Sequence, residues 1–140
     1  MRSLRTTRKI KGFENIPIDG GSGYSKQGKP IVAVDFDGTL VLNKYPFCEN
    51  PNMKLINFIK DHRNEYVWIL WTCRHTEQLD MALRYLWDEH GLTFDFVNSN
   101  VPWLIDEYGD TRKVYADYYL DDKNTTLEDI KKHDNRFKEP

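Results

Sequence analysis

The sequence lacks the features that mark secreted, membrane-spanning or nucleic-acid-coating proteins. It has only two cysteines, Cys48 and Cys73, too few for a disulfide framework and without the spacing of a metal motif. No apolar run is long enough to span a bilayer, and no signal-peptide pattern is present. The net charge of −2 is too small for bulk attraction to nucleic acid or to a membrane. We therefore expect a cytoplasmic protein that has no membrane partner.

The first 29 residues differ in composition from the rest of the chain. Five basic residues precede the first acid, Glu14, and glycines then interrupt any regular pattern. This stretch is either a solvated, flexible arm or a basic arm that contacts phosphate or folds over a site. The 140 residues are enough for one domain with a hydrophobic core. We assign 1–29 to an N-terminal arm or extension and 30–140 to a single domain.

Apolar, β-branched runs alternate with amphipathic segments along residues 30–140, and no internal repeat is present. The runs predict buried strands, and the segments between them predict helices with one apolar face. This alternation favours right-handed crossovers, and hence an α/β, three-layer Rossmann-like fold with a mostly parallel sheet. The strands are predicted in 30–40 (with the following turn), 66–72, 94–97 and 117–120. The helices are predicted in 53–64, in 76–90 with Thr76 as cap, as one or two turns in 102–108, and in 125–133.

Two carboxylates lie directly after the first predicted strand. Asp35 and Asp37 follow the apolar run, and Gly38 allows a sharp turn before Thr39. In open α/β sheets, ligands bind at the carboxyl ends of the strands. A carboxylate there can be a nucleophile, a metal ligand or a general acid, and an ordinary polar turn is the alternative. The residues that follow other strands favour the functional interpretation.

The second and fourth predicted strands also end in polar residues. Trp71-Thr72-Cys73-Arg74 ends the second strand, where a hydroxyl group and backbone amides can hold a phosphoryl oxygen; otherwise Thr72 is a plain strand-end residue. Asp121 and Asp122 end the fourth strand. Because two acids at a buried strand end repel each other, a cation between them is one outcome, and a site without a metal is the other.

A lysine shortly before the fourth strand completes this set. Lys113 is placed to neutralise charge on a carboxylate and on a transferring phosphoryl group. Arg112 and Lys123 are rivals for that role, and an exposed lysine with no such function is the alternative. Its weight as a candidate comes from the motifs around it.

These residues resemble motifs I to IV of the haloacid dehalogenase superfamily of phosphatases, in that order. The likeness is to small, cap-less bacterial and phage members, and it runs from Ile31 to Asn124. It implies a fold of that superfamily with no cap domain, because the connections at 41–52 and before Lys113 are too short for a separate layer. The matching segments are Asp35-Phe36-Asp37-Gly38-Thr39, Lys44-Tyr45-Pro46, Leu70-Trp71-Thr72-Cys73-Arg74, Arg112-Lys113 and Leu120-Asp121-Asp122.

The resemblance also implies a mechanism. Asp35 would attack phosphorus and form an aspartyl-phosphate, while Asp37 would protonate the leaving oxygen and then deprotonate the hydrolytic water. Mg²⁺, which prefers oxygen ligands, would bind Asp35, the main-chain carbonyl of Asp37 and Asp121. Asp122 would orient metal-bound water, although the adjacent acids leave open which of the two is the direct ligand. Thr72 and Lys113 would complete the catalytic set.

The leading functional hypothesis is a magnesium-dependent phosphomonoester hydrolase. The alternatives are a phosphatase of nucleic-acid 5′ or 3′ ends, and a non-catalytic module of the same fold that binds phosphate and metal. With no cap to enclose it, the phosphorylated substrate can be large or polyanionic, unless another subunit of a homo-oligomer covers the site. The predicted substrate-binding residues are Gly38, Thr39, Lys44, Cys73, Arg74 and Asn98.

Overall fold

The structure, a computed structural model, describes residues 6–8, 16–18, 26–43, 45–124 and 126–133. Two short strands precede the main sheet, β1 (Thr6–Arg8) and β2 (Ile16–Ile18), and they pair antiparallel. The sequence pattern does not predict these two strands, and the choice between a solvated arm and a phosphate-contacting arm stays open. The boundary between arm and domain at residue 29 stays a prediction.

Four parallel strands form the central sheet: β3 (Ile31–Val34), β4 (Val67–Leu70), β5 (Phe96–Val97) and β6 (Tyr118–Leu120). Their order is β5-β4-β3-β6. Every residue of β3 and β4 is buried, which explains their continuous apolar runs. The chain moves from β3 to β4 and β5 in one direction and returns to the other side of β3 for β6. This reversal places a topological switch point at the carboxyl ends of β3 and β6, where ligands bind in such sheets.

In the described parts of the chain, four helices connect or follow the strands: α1 (Met53–Asp61), α2 (Thr76–His90), α3 (Pro102–Tyr108) and α4 (Leu127–His133). The Asn52 side chain caps α1 by accepting the Leu55 N–H at 3.2 Å. Gly91 ends α2 in the left-handed conformation. The predicted cap at Thr76 is wrong, because Thr76 is the first helical residue and His75 is the N-cap, without a side-chain hydrogen bond.

Helices cover both faces of the sheet. On one face, α1 and α2 contribute buried residues such as Ile56 and Leu83 to a core with Val34. On the other face, Leu104 of α3 packs against a second core cluster that includes Ile31. The predicted three-layer, Rossmann-like α/β fold is therefore confirmed, and its sheet is parallel throughout its four strands.

The connections that could hold a cap domain are short. Among the described residues between β3 and α1 there is no helix, and between β5 and β6 there is only α3. No further layer forms over the carboxyl end of the sheet in these parts of the chain. None of the helices in the described ranges has the length and apolar character needed to cross a bilayer.

An ion-pair network closes the amino end of the sheet. The Asp95 side chain is fully buried and accepts hydrogen bonds from Lys26 Nζ at 2.8 and 3.0 Å, and from the Trp68 N–H at 2.8 Å. Arg63 lies 3.2 Å from the same carboxylate. Burial lowers the pKa of Lys26, although Asp95 opposes this shift. This network fixes the segment that leads into β3.

Candidate active site

Two neighbouring strands bring three acids together at the switch point. Asp35 follows β3, and Asp121 and Asp122 follow β6. The Asp35 N–H donates to the Leu120 carbonyl at 2.9 Å, which continues the pairing of the two strands by one residue. One carboxylate oxygen from each acid lies within 4.8 Å of the others. The structure thus places Asp35 close to both acids, as the sequence predicts.

The turn after β3 is built around this cluster. Thr39 Oγ1 accepts the Asp122 N–H at 3.0 Å and lies 3.5 Å from Asp35 Oδ2, so one hydroxyl group bridges the two strand ends. Gly38 has a φ of +82°, and a Cβ atom at this position would overlap the Asp122 carboxylate. Gly38 and Thr39 therefore shape the acid cluster, which is a different role from the substrate contact predicted for them.

The cluster carries more negative charge than its surroundings neutralise. Burial, together with the charges of Asp121, Asp122 and Asp37, raises the pKa of Asp35 to about 7, against the opposing effect of a hydrogen bond from the Phe36 N–H. Within the described ranges, no lysine, arginine or histidine forms an ion pair with any of the three clustered acids. Like charges this close are stable together only if one is protonated or a cation joins them.

The cluster has the chemistry of a site for a hard divalent cation. Three carboxylates supply oxygen ligands, and the partial exposure of the cluster leaves room for the waters that Mg²⁺ retains. The Asp37 carboxylate is not part of this group. Its predicted contribution is through the main-chain carbonyl and stays a prediction.

Lys113 and two of the three clustered acids line one cavity of about 230 Å³. Asp35 and Asp121 line it together with Lys113, whose Nζ lies 5.3 Å from the centroid of the Tyr119 ring. A dianionic phosphoryl group in this cavity would have the nucleophile candidate on one side and a cation on another. The structure therefore places Lys113 at the cavity that Asp35 and Asp121 line, and its predicted catalytic role stays a prediction.

The loop that carries Lys113 is held by Asn100, to which the sequence analysis gave no individual role. Asn100 is 3% exposed, and its Oδ1 accepts the Tyr115 N–H at 2.7 Å. Its Nδ2 donates to the Thr111 carbonyl at 3.1 Å, and Thr111 Oγ1 donates to the Lys113 carbonyl at 2.8 Å. Asn100 thus fixes both ends of the turn. Only its position in a polar loop after β5 could have suggested this.

Thr72 and Asn98 lie at the ends of neighbouring strands and contact each other. The Thr72 N–H donates to Asn98 Oδ1 at 2.8 Å, and Thr72 Oγ1 accepts the Arg74 N–H at 3.1 Å. Their side chains therefore organise the loop after β4, and their predicted contacts with phosphate and substrate stay predictions. Cys73 is exposed, and Lys44 lies outside the described residues.

Asp37 and Arg74 form a pair of their own. Arg74 Nε donates to Asp37 Oδ2 at 2.8 Å and Nη2 donates to Oδ1 at 2.7 Å, a bidentate geometry. The Arg74 side chain is 1% exposed and also donates to the Gln78 and Pro46 carbonyls. This arrangement does not support the predicted contact between Arg74 and substrate. It makes Arg74 the residue that orients Asp37.

Comparison with known proteins shows that a solved structure is similar to this chain. No protein-family model matches the chain, and no curated protein matches it. A solved structure, that of a conserved protein from Bacteroides thetaiotaomicron, has 33% sequence identity and a TM-score of 0.59. The match covers 69% of this chain and 78% of that one. This chain therefore belongs to the same protein family as the conserved Bacteroides thetaiotaomicron protein.

Proposed function

We propose that the protein is a magnesium-dependent phosphomonoesterase in which Asp35 is the nucleophile. The observation that carries this proposal is the uncompensated acid cluster at the switch point, with Lys113 across the adjoining cavity. A cluster with no role in binding would be an unfavourable arrangement, since its charges repel each other and Asp35 is partly desolvated. The resemblance of the five motif segments to phosphatases of the haloacid dehalogenase superfamily supports the same reaction.

In this proposal each step belongs to a named side chain. A carboxylate oxygen of Asp35 attacks phosphorus, the bond to the leaving oxygen breaks, and an aspartyl-phosphate forms. Lys113 stabilises negative charge on the phosphoryl oxygens. Asp35 and Asp121 would hold Mg²⁺, with Asp122 orienting its ligands, and the ion when bound offsets repulsion between the nucleophile and an anionic substrate.

Asp37 is the proposed proton donor and acceptor. Its carboxyl group donates a proton to the leaving oxygen, and its carboxylate then takes a proton from the water that attacks the aspartyl-phosphate. The ion pair with Arg74 occupies one lone pair on each Asp37 oxygen, and the Asp37 side chain remains 26% exposed. An accessible lone pair is therefore left for the proton transfer.

The test is phosphate release from a panel of phosphoesters, with p-nitrophenyl phosphate as a reference substrate. We expect Mg²⁺ to support turnover and EDTA to stop it. Asp35→Asn should abolish turnover without loss of folded structure, because an amide of the same shape cannot act as the nucleophile. Asp106→Asn, at an exposed acid of α3, is the matched control and should keep full activity.

Two results would contradict the proposal. Full activity in Asp35→Asn, with deamidation excluded by mass spectrometry, would remove Asp35 as the nucleophile. Absence of phosphate release from every phosphoester in the panel, in the presence of Mg²⁺, would favour a non-catalytic binding module of the same fold.

A further inference from the structure

An exposed apolar loop lies beside Asp37. Leu42, Tyr45 and Phe47 are 62%, 54% and 62% exposed, and they lie within six residues of the connection between β3 and α1. Single exposed apolar residues are ordinary, but three in one short loop next to a candidate site indicate a surface that contacts a ligand. The exposed rings of Tyr45 and Phe47 have flat faces on which a ligand can pack without any rearrangement of the core.

Arg74 fixes this loop to the candidate site. Its Nη2 donates both to Asp37 Oδ1 at 2.7 Å and to the Pro46 carbonyl at 3.1 Å. The centroid of the Tyr45 ring lies 5.0 Å from Arg74 Cζ, a cation–π distance. A single buried guanidinium group therefore holds the Asp37 carboxylate and the aromatic loop in one arrangement.

We propose that the loop around Tyr45 and Phe47 is the subsite for the leaving group, and that it selects phosphomonoesters whose leaving group carries a planar aromatic ring. This inference rests on the proposed function, in which Asp37 meets the leaving oxygen. The group attached to that oxygen must therefore lie next to Asp37. Tyr45 is close to this position, because its ring packs on the Arg74 guanidinium group that holds Asp37. A ring that stacks there gains contact area at a small cost in conformational entropy, because Arg74 already holds Tyr45 and the Pro46 carbonyl.

A nucleoside and a simple phenol are both leaving groups with a planar aromatic ring, and the test separates them. A nucleoside monophosphate, a phenyl phosphate and glycerol phosphate are compared as substrates of the wild type, Phe47→Ala and a control, Tyr108→Ala. Tyr108 is 71% exposed on α3 and lies outside the proposed machinery. Because stacking on one aromatic side chain is worth roughly 1–3 kcal/mol, Phe47→Ala should raise KM for the nucleoside monophosphate by about 5-fold or more.

The pattern across substrates decides the outcome. We expect kcat to change by less than about twofold, glycerol phosphate to be unaffected, and Tyr108→Ala to match the wild type. A rise in KM for the nucleoside monophosphate alone would mean that the subsite selects a nucleobase. A rise in KM for both aromatic esters would mean that it accepts any planar aromatic ring. Equal effects on all three substrates, or none, would overturn the subsite. Absence of turnover by the wild type would instead overturn the proposed function, and this inference with it.

A second variant tests the link through Arg74. Lysine at this position keeps the charge but cannot hold both Asp37 oxygens and the Pro46 carbonyl at once. Arg74→Lys should therefore raise KM for the aromatic esters, and Phe47→Ala should add little to it in the double variant. Additive effects on KM in a folded double variant would mean that Arg74 does not position the loop.

Discussion

The two ends of the central sheet each hold a partly or fully buried acid, and the two acids differ in how their negative charge is neutralised. At the amino end, Asp95 is fully buried but bound by Lys26, Arg63 and the Trp68 N–H. At the carboxyl end, Asp35 is less buried yet lies within 4.8 Å of two further carboxylates. The more buried acid is thus the neutralised one, and no basic side chain in the described part of the chain pairs with the more accessible acid.

This difference separates a structural role from a functional one. A buried carboxylate that serves the fold needs partners within the chain, since an uncompensated buried charge costs several kcal/mol. The acids at the carboxyl end sit at the switch point and line an open cavity, where an external cation and an anionic substrate can take the place of such partners. Each prediction below alters one side of this comparison.

The largest effect is expected from Asp95→Ala, which removes the neutralised acid. Lys26 then remains buried with no carboxylate, and the Trp68 N–H loses its acceptor. We expect the free energy of unfolding, measured by urea denaturation, to fall by about 3–5 kcal/mol. Asp88→Ala, at an exposed acid of α2, is the control and should change it by less than about 0.5 kcal/mol. Equal stability of the two variants would mean that the network does not stabilise the fold.

The next effect concerns Asp37, whose oxygens both contact Arg74. In Asp37→Asn the side chain can still accept hydrogen bonds but cannot transfer a proton, so kcat should fall by at least about 10²-fold. Alkyl phosphates should lose more than an aryl phosphate whose leaving group needs no protonation. Equal losses for good and poor leaving groups would indicate that Asp37 only holds Arg74 in place.

A smaller effect separates the two adjacent acids after β6. Asp121 lines the cavity that contains Asp35, whereas Asp122 lies against Gly38 and is more exposed. Asp121→Ala should therefore raise the Mg²⁺ concentration needed for half-maximal activity more than Asp122→Ala does. We expect this Mg²⁺ concentration to rise by about 10- to 100-fold when a residue that only orients the ligands is removed, and by more when the direct ligand is removed. The opposite order would exchange the two roles.

The smallest effect is a pH dependence of stability in metal-free protein. The pKa of Asp35 is about 7 in the folded protein and has a usual value of 3.8. Between these values the folded protein binds a proton that the unfolded chain releases, so Asp35 makes the free energy of unfolding decrease as pH rises from about 4 to 7. Asp35→Asn lacks this contribution and should gain stability relative to the wild type over that range.

Denaturation in EDTA at several pH values measures this difference directly. A constant difference between wild type and Asp35→Asn from pH 4 to 8 would mean that the Asp35 carboxyl group is not perturbed by its neighbours. Addition of Mg²⁺ above pH 7 should stabilise the wild type more than the variant, because a bound cation favours the ionised carboxylate.

The sequence predicted the sheet and its acids because both depend on local signals. Continuous β-branched runs indicate buried parallel strands, and polar residues directly after them must lie at one edge of the sheet. Asp35, Asp121 and Asp122 could therefore be placed together without a structure. Helix ends were less predictable: α1 ends at Asp61, short of the predicted 64, because the chain turns there to enter β4.

The partners of individual side chains depend on contacts distant in sequence. Arg74 is 37 residues from Asp37, and no local pattern indicates that it contacts this acid instead of the substrate. Asn100 acts on Lys113 through Thr111, a chain of hydrogen bonds that spacing alone does not reveal. The strands β1 and β2 lie in a segment whose glycines and basic residues favour a flexible arm.

The central claim is that the uncompensated acid Asp35 becomes phosphorylated during turnover. A reaction with p-nitrophenyl phosphate and Mg²⁺ is quenched in acid within one turnover, and the modified residue is located by peptide mass spectrometry. The account predicts a phosphoryl group on Asp35 that is absent in EDTA and in Asp35→Asn. Phosphate release with no phosphorylated aspartate in any peptide, or with the group on another residue, would contradict it.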